Sequence, residues 1–179
     1  MKKIDAHAHV GYFGGWADVG YTDEEMVAEM DRYGIERSVV SYMDNALVER
    51  AVGRFPDRFA GLTWANPYEG DKAVETVVRQ VRECGFKGIK LHPLLNAFTA
   101  NDAVVHPLME TAQELDIPVF IHSGHPPFSL PHSIVQLADD FPRVRVVMVH
   151  MGHGNGIYIQ AAIDLAKKRD NVFLETSGM

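Results

Sequence analysis

Short apolar runs alternate with helix-patterned stretches along the whole chain, and this alternation constrains the fold more than any other feature. Seven runs read as strands: Ile4–Val10, Ser38–Tyr42, Phe59–Trp64, Gly88–Leu91, Val119–His122, Val144–Val149 and Val172–Glu175. They are short and rich in Val, Ile, Phe and Leu, as strands buried on both faces should be. Helical patterns fill the gaps. Thr22-Asp23-Glu24-Glu25 is a capping box, followed by an apolar face of Met26, Val27, Met30 and Tyr33 and a stop at Gly34. Asp71 opens a second helix with a Val74, Val77, Val78, Val81, Cys84 stripe, and Asn101 or Asp102 caps a third with Val105, Leu108, Met109, Ala112 and Leu115 facing inward. Ala46–Arg54, Ser133–Phe141 and Ile157–Lys168 are further helices, and Phe55-Pro56 and Phe141-Pro142 mark helix exits.

A repeated β-α unit of roughly 25 residues predicts a parallel sheet with helical crossovers. The glycine clusters at Gly11–Gly15 and Gly152–Gly156 have neither a dinucleotide-binding nor a Gly-Lys-Ser/Thr spacing, so an open nucleotide-binding sheet is disfavoured. The expected architecture is a (β/α)8 TIM-type barrel. About seven β/α units are present and the eighth strand is missing, so residues 1–179 are expected to be one barrel domain lacking its C-terminal part.

The strand ends carry the chemistry. In such a barrel they converge on one mouth. His7 and His9 lie on the first run, Lys90 and His92 on the fourth, His122 on the fifth, His150 on the sixth and Glu175 on the seventh. Residues two apart on a strand share a face, so His7 and His9 point together, with Asp5 one step deeper. Imidazole is the commonest donor to zinc and related ions, so the pair reads as metal ligands or as a chance H-x-H. His122 and His150 read as further ligands or as hydrogen-bonded core residues. Lys90 interrupts the apolar Gly88-Ile89-Lys90-Leu91 run. It either snorkels, pairs with Glu175, or is carbamylated and bridges two ions. His92, His125 and His153 are candidate substrate contacts at the mouth. His132 is a loop or substrate-contact residue, His106 a surface residue and Cys84 a core residue.

A formal net charge of -7 disfavours nucleic acid as a partner. The single cysteine cannot form an internal disulfide, which suits a reducing cytoplasm. Asp5, His7 and His9 interrupt any signal-peptide core, and no apolar run approaches the ~20 residues that cross a bilayer.

The strings D-A-H-A-H, G-I-K-L-H-P, V-F-I-H-S-G, V-V-M-V-H-M-G and V-F-L-E-T-S-G resemble consecutive landmarks of the amidohydrolase superfamily. They look most like the amidohydrolase-related branch that also contains metal-dependent decarboxylases of the aminocarboxymuconate-semialdehyde type. The resemblance implies a distorted barrel and a divalent metal, zinc first, with manganese, iron or nickel as alternatives, as one or two ions. It implies His7, His9 and His122 as ligands and His150 as second-metal ligand or general acid/base. A family aspartate on strand eight would complete the site; this chain stops at Met179 without it, so the expectation is a fragment that binds metal weakly. The implied activity is metal-dependent hydrolysis of a small amide, ester or lactone through a metal-activated water. The alternatives are a non-oxidative decarboxylase or hydratase, or an inactive metal-binding fragment. Lys90 tilts the choice to hydrolysis. TatD-type nucleases share H-x-H but carry glutamate where Lys90 stands. The expected partner is a small-molecule substrate, with no membrane and a homo-oligomer as one expected state.

Overall fold

The structure, a computed structural model, describes residues 3–14, 18–153 and 156–178. Gly15, Gly154 and Asn155 of the two glycine clusters lie outside the described residues. The chain divides into two compact units, Met1–Trp64 with Arg79–Lys87, and Ala65–Val78 with Gly88–Met179.

In the first unit, β1 (Lys3–His9) leads into an antiparallel hairpin of β2 (Gly11–Phe13) and β3 (Val19–Tyr21). The short runs around Gly11 and Gly20 gave no strand signal, so this hairpin is an addition to the expected pattern. The capping box forms as predicted: Thr22 Oγ1 accepts from the Glu25 amide and Glu25 reaches back to the Thr22 amide, starting α1 (Asp23–Tyr33). Gly34 ends it in the left-handed conformation. Met26 and Met30 are buried, but Tyr33 is exposed, so the inward face is narrower than its pattern. The chain continues through β4 (Ile35–Ser41), α2 (Asn45–Arg54) and β5 (Phe59–Trp64). β1 pairs parallel with β4, and β4 with β5. Met26, Met30, Val40, Val48, Phe59 and Phe86 lie in one apolar cluster. Cys84 sits at its edge, half-buried and 3.2 Å from Arg79 Nη1, rather than in the core.

The helix α3 (Asp71–Glu83) follows β5 in the chain. Its buried positions are Ala73, Val77 and Gln80, with Val74, Val78 and Val81 only half-buried, so the stripe is rotated from the all-valine expectation.

In the second unit, β6 (Gly88–Leu91) is followed by the single turn α4 (Pro93–Asn96) and α5 (His106–Glu114). Asp102 caps, as expected, but what it caps is the 3-10 turn Ala103–Val105 that precedes α5. His106 is half-buried with its ring 5.2 Å from that of Phe141, a correction to its surface placement. Then come β7 (Val119–His122), α6 (Pro131–Asp140), β8 (Val146–Val149), α7 (Gly156–Ala166) and β9 (Val172–Leu174). The four strands run parallel, with Lys90 opposite Phe120, His122 opposite Val149 and Met148 opposite Leu174. β6 and β7 are buried at every position, as strands covered on both faces must be. Among the described residues no helix is long and apolar enough to cross a membrane.

Candidate functional site

In the first unit, His7 is buried and His9 half-buried on β1, with ring centroids 4.6 Å apart at a steep 84°. The same-face expectation meets an irregularity. The β1–β4 register shifts between Asp5, opposite Ser38, and Ala8, opposite Val40. The His7 amide donates to Asp5 Oδ1 at 3.1 Å. His9 Nδ1 lies 2.9 Å from the Ser41 carbonyl oxygen. A carbonyl only accepts, so Nδ1 carries a proton, and in the neutral ring Nε2 offers its lone pair.

In the second unit the histidines at the strand ends form a fan. The His122 ring stacks on His92 at 3.9 Å, lies 4.8 Å from both His125 and His150, and 5.5 Å from His153. His122 Nε2 is 2.9 Å from His125 Nδ1. His92 is not a strand residue: it caps α4, with its Nδ1 accepting from the Leu95 amide at 3.3 Å, so its Nε2 is the protonated nitrogen. His150 begins the 3-10 turn His150–Gly152. Its Nδ1 lies 2.7 Å from the Ser177 carbonyl, which again puts the proton on Nδ1 and the lone pair on Nε2. The Glu175 carboxylate accepts from the His150 amide at 3.2 Å and from Ser177 Oγ at 2.8 Å, locking the turn that holds the carbonyl in place.

Burial pushes His122 far below the ordinary imidazole range, with the nearby His92 and Lys90 adding to it. Burial lowers His150 as well, against the Ser177 hydrogen bond that raises it, and lowers His125, with His153 beside it. These imidazoles are therefore neutral at neutral pH, the form that donates to a metal, so the residues fit a divalent ion.

Lys90 is 1% exposed on β6, so the snorkelling alternative is excluded. Desolvation lowers its pKa to about 7, against the opposing charge of Glu175. A substantial fraction is the neutral amine at pH 7, the form that reacts with carbon dioxide.

His132 is exposed at the start of α6 and outside the fan. The positioning residues Ser123 and Ser177 escaped the sequence reading, although each follows a titratable strand-end residue by one or two positions. Ser123 Oγ donates to the Val149 carbonyl at 2.6 Å and accepts from the Gly152 amide at 2.8 Å, tying the two histidine loops together.

Solved structures share this fold. An uncharacterised TIM-barrel protein, Bb4693 from Bordetella bronchiseptica, is 20% identical with a TM-score of 0.79, over 98% of this chain and 75% of that one. The 5-carboxyvanillate decarboxylase LigW2 from Novosphingobium aromaticivorans, with bound manganese and 3-methoxy-4-hydroxy-5-nitrobenzoic acid, is 16% identical with a TM-score of 0.67, over 84% of this chain and 66% of that one. A probable 2-pyrone-4,6-dicarboxylic acid hydrolase from Acinetobacter baumannii, with citric acid bound, is 19% identical with a TM-score of 0.72, over 99% and 71%. The present chain thus spans just under two thirds of the LigW2 length and about three quarters of the Bordetella protein. The fold class is accordingly that of a TIM-type barrel, of which seven β/α strands are described. The family model for amidohydrolases matches residues 4–179, nearly the whole chain, and the protein belongs to the amidohydrolase family.

Proposed function

We propose that this chain is the metal-dependent catalytic part of a hydrolase acting on a small, carboxylated ester, lactone or amide. The observation that carries this reading is the fan of neutral imidazoles closing β7 and β8, with the buried amine of Lys90 on the neighbouring strand. A bound divalent ion would supply Lewis acidity and a water acidified toward neutrality.

The roles fall to residues as follows. His7 and His9 are ligands, His9 through the Nε2 that the Ser41 carbonyl leaves unprotonated. His122 is a ligand of the second unit. His150 is the general base: Ser177 holds the proton on Nδ1, so Nε2 carries the lone pair that takes a proton from substrate or water and returns it to the leaving group. His92, with Nε2 protonated, is a hydrogen-bond donor suited to a substrate carboxylate or carbonyl oxygen. His125 is a further substrate contact.

Lys90 favours hydrolysis, because its depressed pKa suits carbamylation and a carbamate is an anionic bridging ligand. Non-oxidative decarboxylation is the second reading, and the likeness to a manganese-bound carboxyvanillate decarboxylase favours it. A metal-reconstituted chain offered lactones, esters and aromatic carboxylates separates them. Acid release without carbon dioxide supports hydrolysis; carbon dioxide release replaces it with decarboxylation. Labelled bicarbonate should yield a carbamate carbon resonance that disappears in Lys90→Met; without that resonance the bridging role is lost.

A further inference from the structure

The strands of the first unit divide their side chains between two faces. Gly61 on β5 marks the helix-covered one: a Cβ there would stand 3.0 Å from the Val52 side chain and 3.1 Å from that of Phe86. Its register partner Val40 lies with both in one apolar cluster. Successive strand residues alternate between faces, so Leu62 and Trp64 belong to the opposite face. Ser41, next after Val40, does too, and its partner on β1 is His9. Both Ser41 oxygens lie against the His9 ring, the carbonyl 2.9 Å and Oγ 3.4 Å from Nδ1. Trp64 therefore shares its face with the imidazole of His9.

The register also sets how far along the sheet the indole stands. β4 and β5 pair without a shift from Ser38–Phe59 to Val40–Gly61, and one step further puts Leu62 beside Ser41. Trp64 is two residues beyond Leu62, about 7 Å nearer the C-terminal end of the sheet. There β4 has ended at Ser41, and the Asn45 side chain stands in for a strand. Asn45 Oδ1 accepts from the Trp64 amide at 2.8 Å, and Asn45 Nδ2 donates to the Trp64 carbonyl at 2.9 Å. Both main-chain groups are satisfied, so the strand end that carries the half-buried indole is fixed.

The neighbouring strand ends are aromatic and carry no cation beyond the imidazoles. The Phe13 ring is 4.8 Å from that of His9, and Tyr42 packs edge-on against Phe13 at 5.1 Å. β1, β4 and β5 run out as His9-Val10, Ser41-Tyr42 and Trp64-Ala65, without a lysine or arginine. Such ends suit the flat face of a ring better than a carboxylate.

We propose that Trp64 determines specificity: its indole is the surface on which a planar, unsaturated ring of the substrate stacks, one strand step beyond His9. Asn45 is its positioning residue. This rests on the hydrolase reading for where the substrate lies. It narrows that substrate to ring compounds, such as aryl esters and unsaturated lactones, over open-chain aliphatic ones.

Binding of benzoate against cyclohexanecarboxylate tests the proposal, because the two share a carboxylate and differ in the planar ring. The chain has two tryptophans, so the indole N–H resonance that remains in Trp16→Phe belongs to Trp64. Benzoate is expected to shift that resonance, and cyclohexanecarboxylate to shift it far less. In Trp64→Leu, benzoate should bind roughly two- to tenfold more weakly with cyclohexanecarboxylate unchanged. Trp64→Phe should restore most of the difference. No shift on adding benzoate, equal shifts from the two acids, or equal losses of both in Trp64→Leu overturns the inference. The readout needs neither metal nor turnover. A benzoate shift at Trp64 in a chain that hydrolyses nothing removes the hydrolase reading alone, and hydrolysis without that shift removes the role of Trp64 alone.

Discussion

His7 and His9 sit on a strand whose first residues are exposed, whereas His122 and His150 close strands that are almost wholly buried. On β1, Ile4 is 69% exposed and the ladder to β4 slips around Ala6 and His7. On β7 every residue is buried, and the loops beyond β7 and β8 are fastened by Ser123, by the glycine contact at Gly124 and by the Glu175–Ser177 turn. The first region presents its imidazoles on a strand, with His9 held against Ser41. The second presents them through backbone that only tertiary packing can hold. The same residue type at a strand end therefore tolerates change very differently in the two places.

Gly124→Ala should break this contrast most severely. Its Cβ would meet Gly152 backbone at 2.5 Å in a left-handed conformation, and separating the loops should cost about 3 kcal/mol or more in denaturant unfolding. A Gly34→Ala change, also left-handed but with nothing near its Cβ, should cost only about 1 kcal/mol, so equal losses would contradict the contrast.

Lys90 comes next. Its folded pKa, about 7, lies below the usual 10.5, so the unfolded chain binds more protons between those values. Stability should therefore rise with pH across that window, by up to about 5 kcal/mol. Below pH 7 the burial cost is fully present, and above 10.5 it is gone. Lys90→Met should flatten the pH dependence of Tm across the window; an unchanged slope would show that the amine is charged when folded.

Ser123→Ala removes the hydroxyl shared by the Val149 carbonyl and the Gly152 amide. About 1–3 kcal/mol should be lost, with metal affinity falling alongside, because the two histidine loops part. The smallest effect belongs to Thr22→Ala in the first unit, where the capping box should cost about 1 kcal/mol and leave metal binding untouched.

Much of the fold was legible because the β-α alternation and the end signals are local. Thr22 caps, Gly34 stops, and Phe55 and Phe141 leave their helices where expected. The β2–β3 hairpin was not legible, since three-residue strands rich in glycine have no periodicity to detect. Strand-end histidines could be picked out one by one. That His125 would meet His122, or that His153 would fold back beside His150, depends on left-handed backbone outside the strand pattern. Ser177 was invisible for a related reason: its contribution to His150 comes from its carbonyl, which every residue possesses.

The sequence by itself determined the succession of strands and helices, the family landmarks and the identity of the titratable groups, because those depend on neighbours a few positions apart. Tertiary structure alone decided which nitrogen of His150 and His9 carries the proton, that Lys90 is wholly withdrawn from water, and that His153 joins the imidazole fan. Those outcomes depend on carbonyls, burial and close backbone approach between segments about 25 or more residues apart, such as Ser177 on His150 and Ser41 on His9.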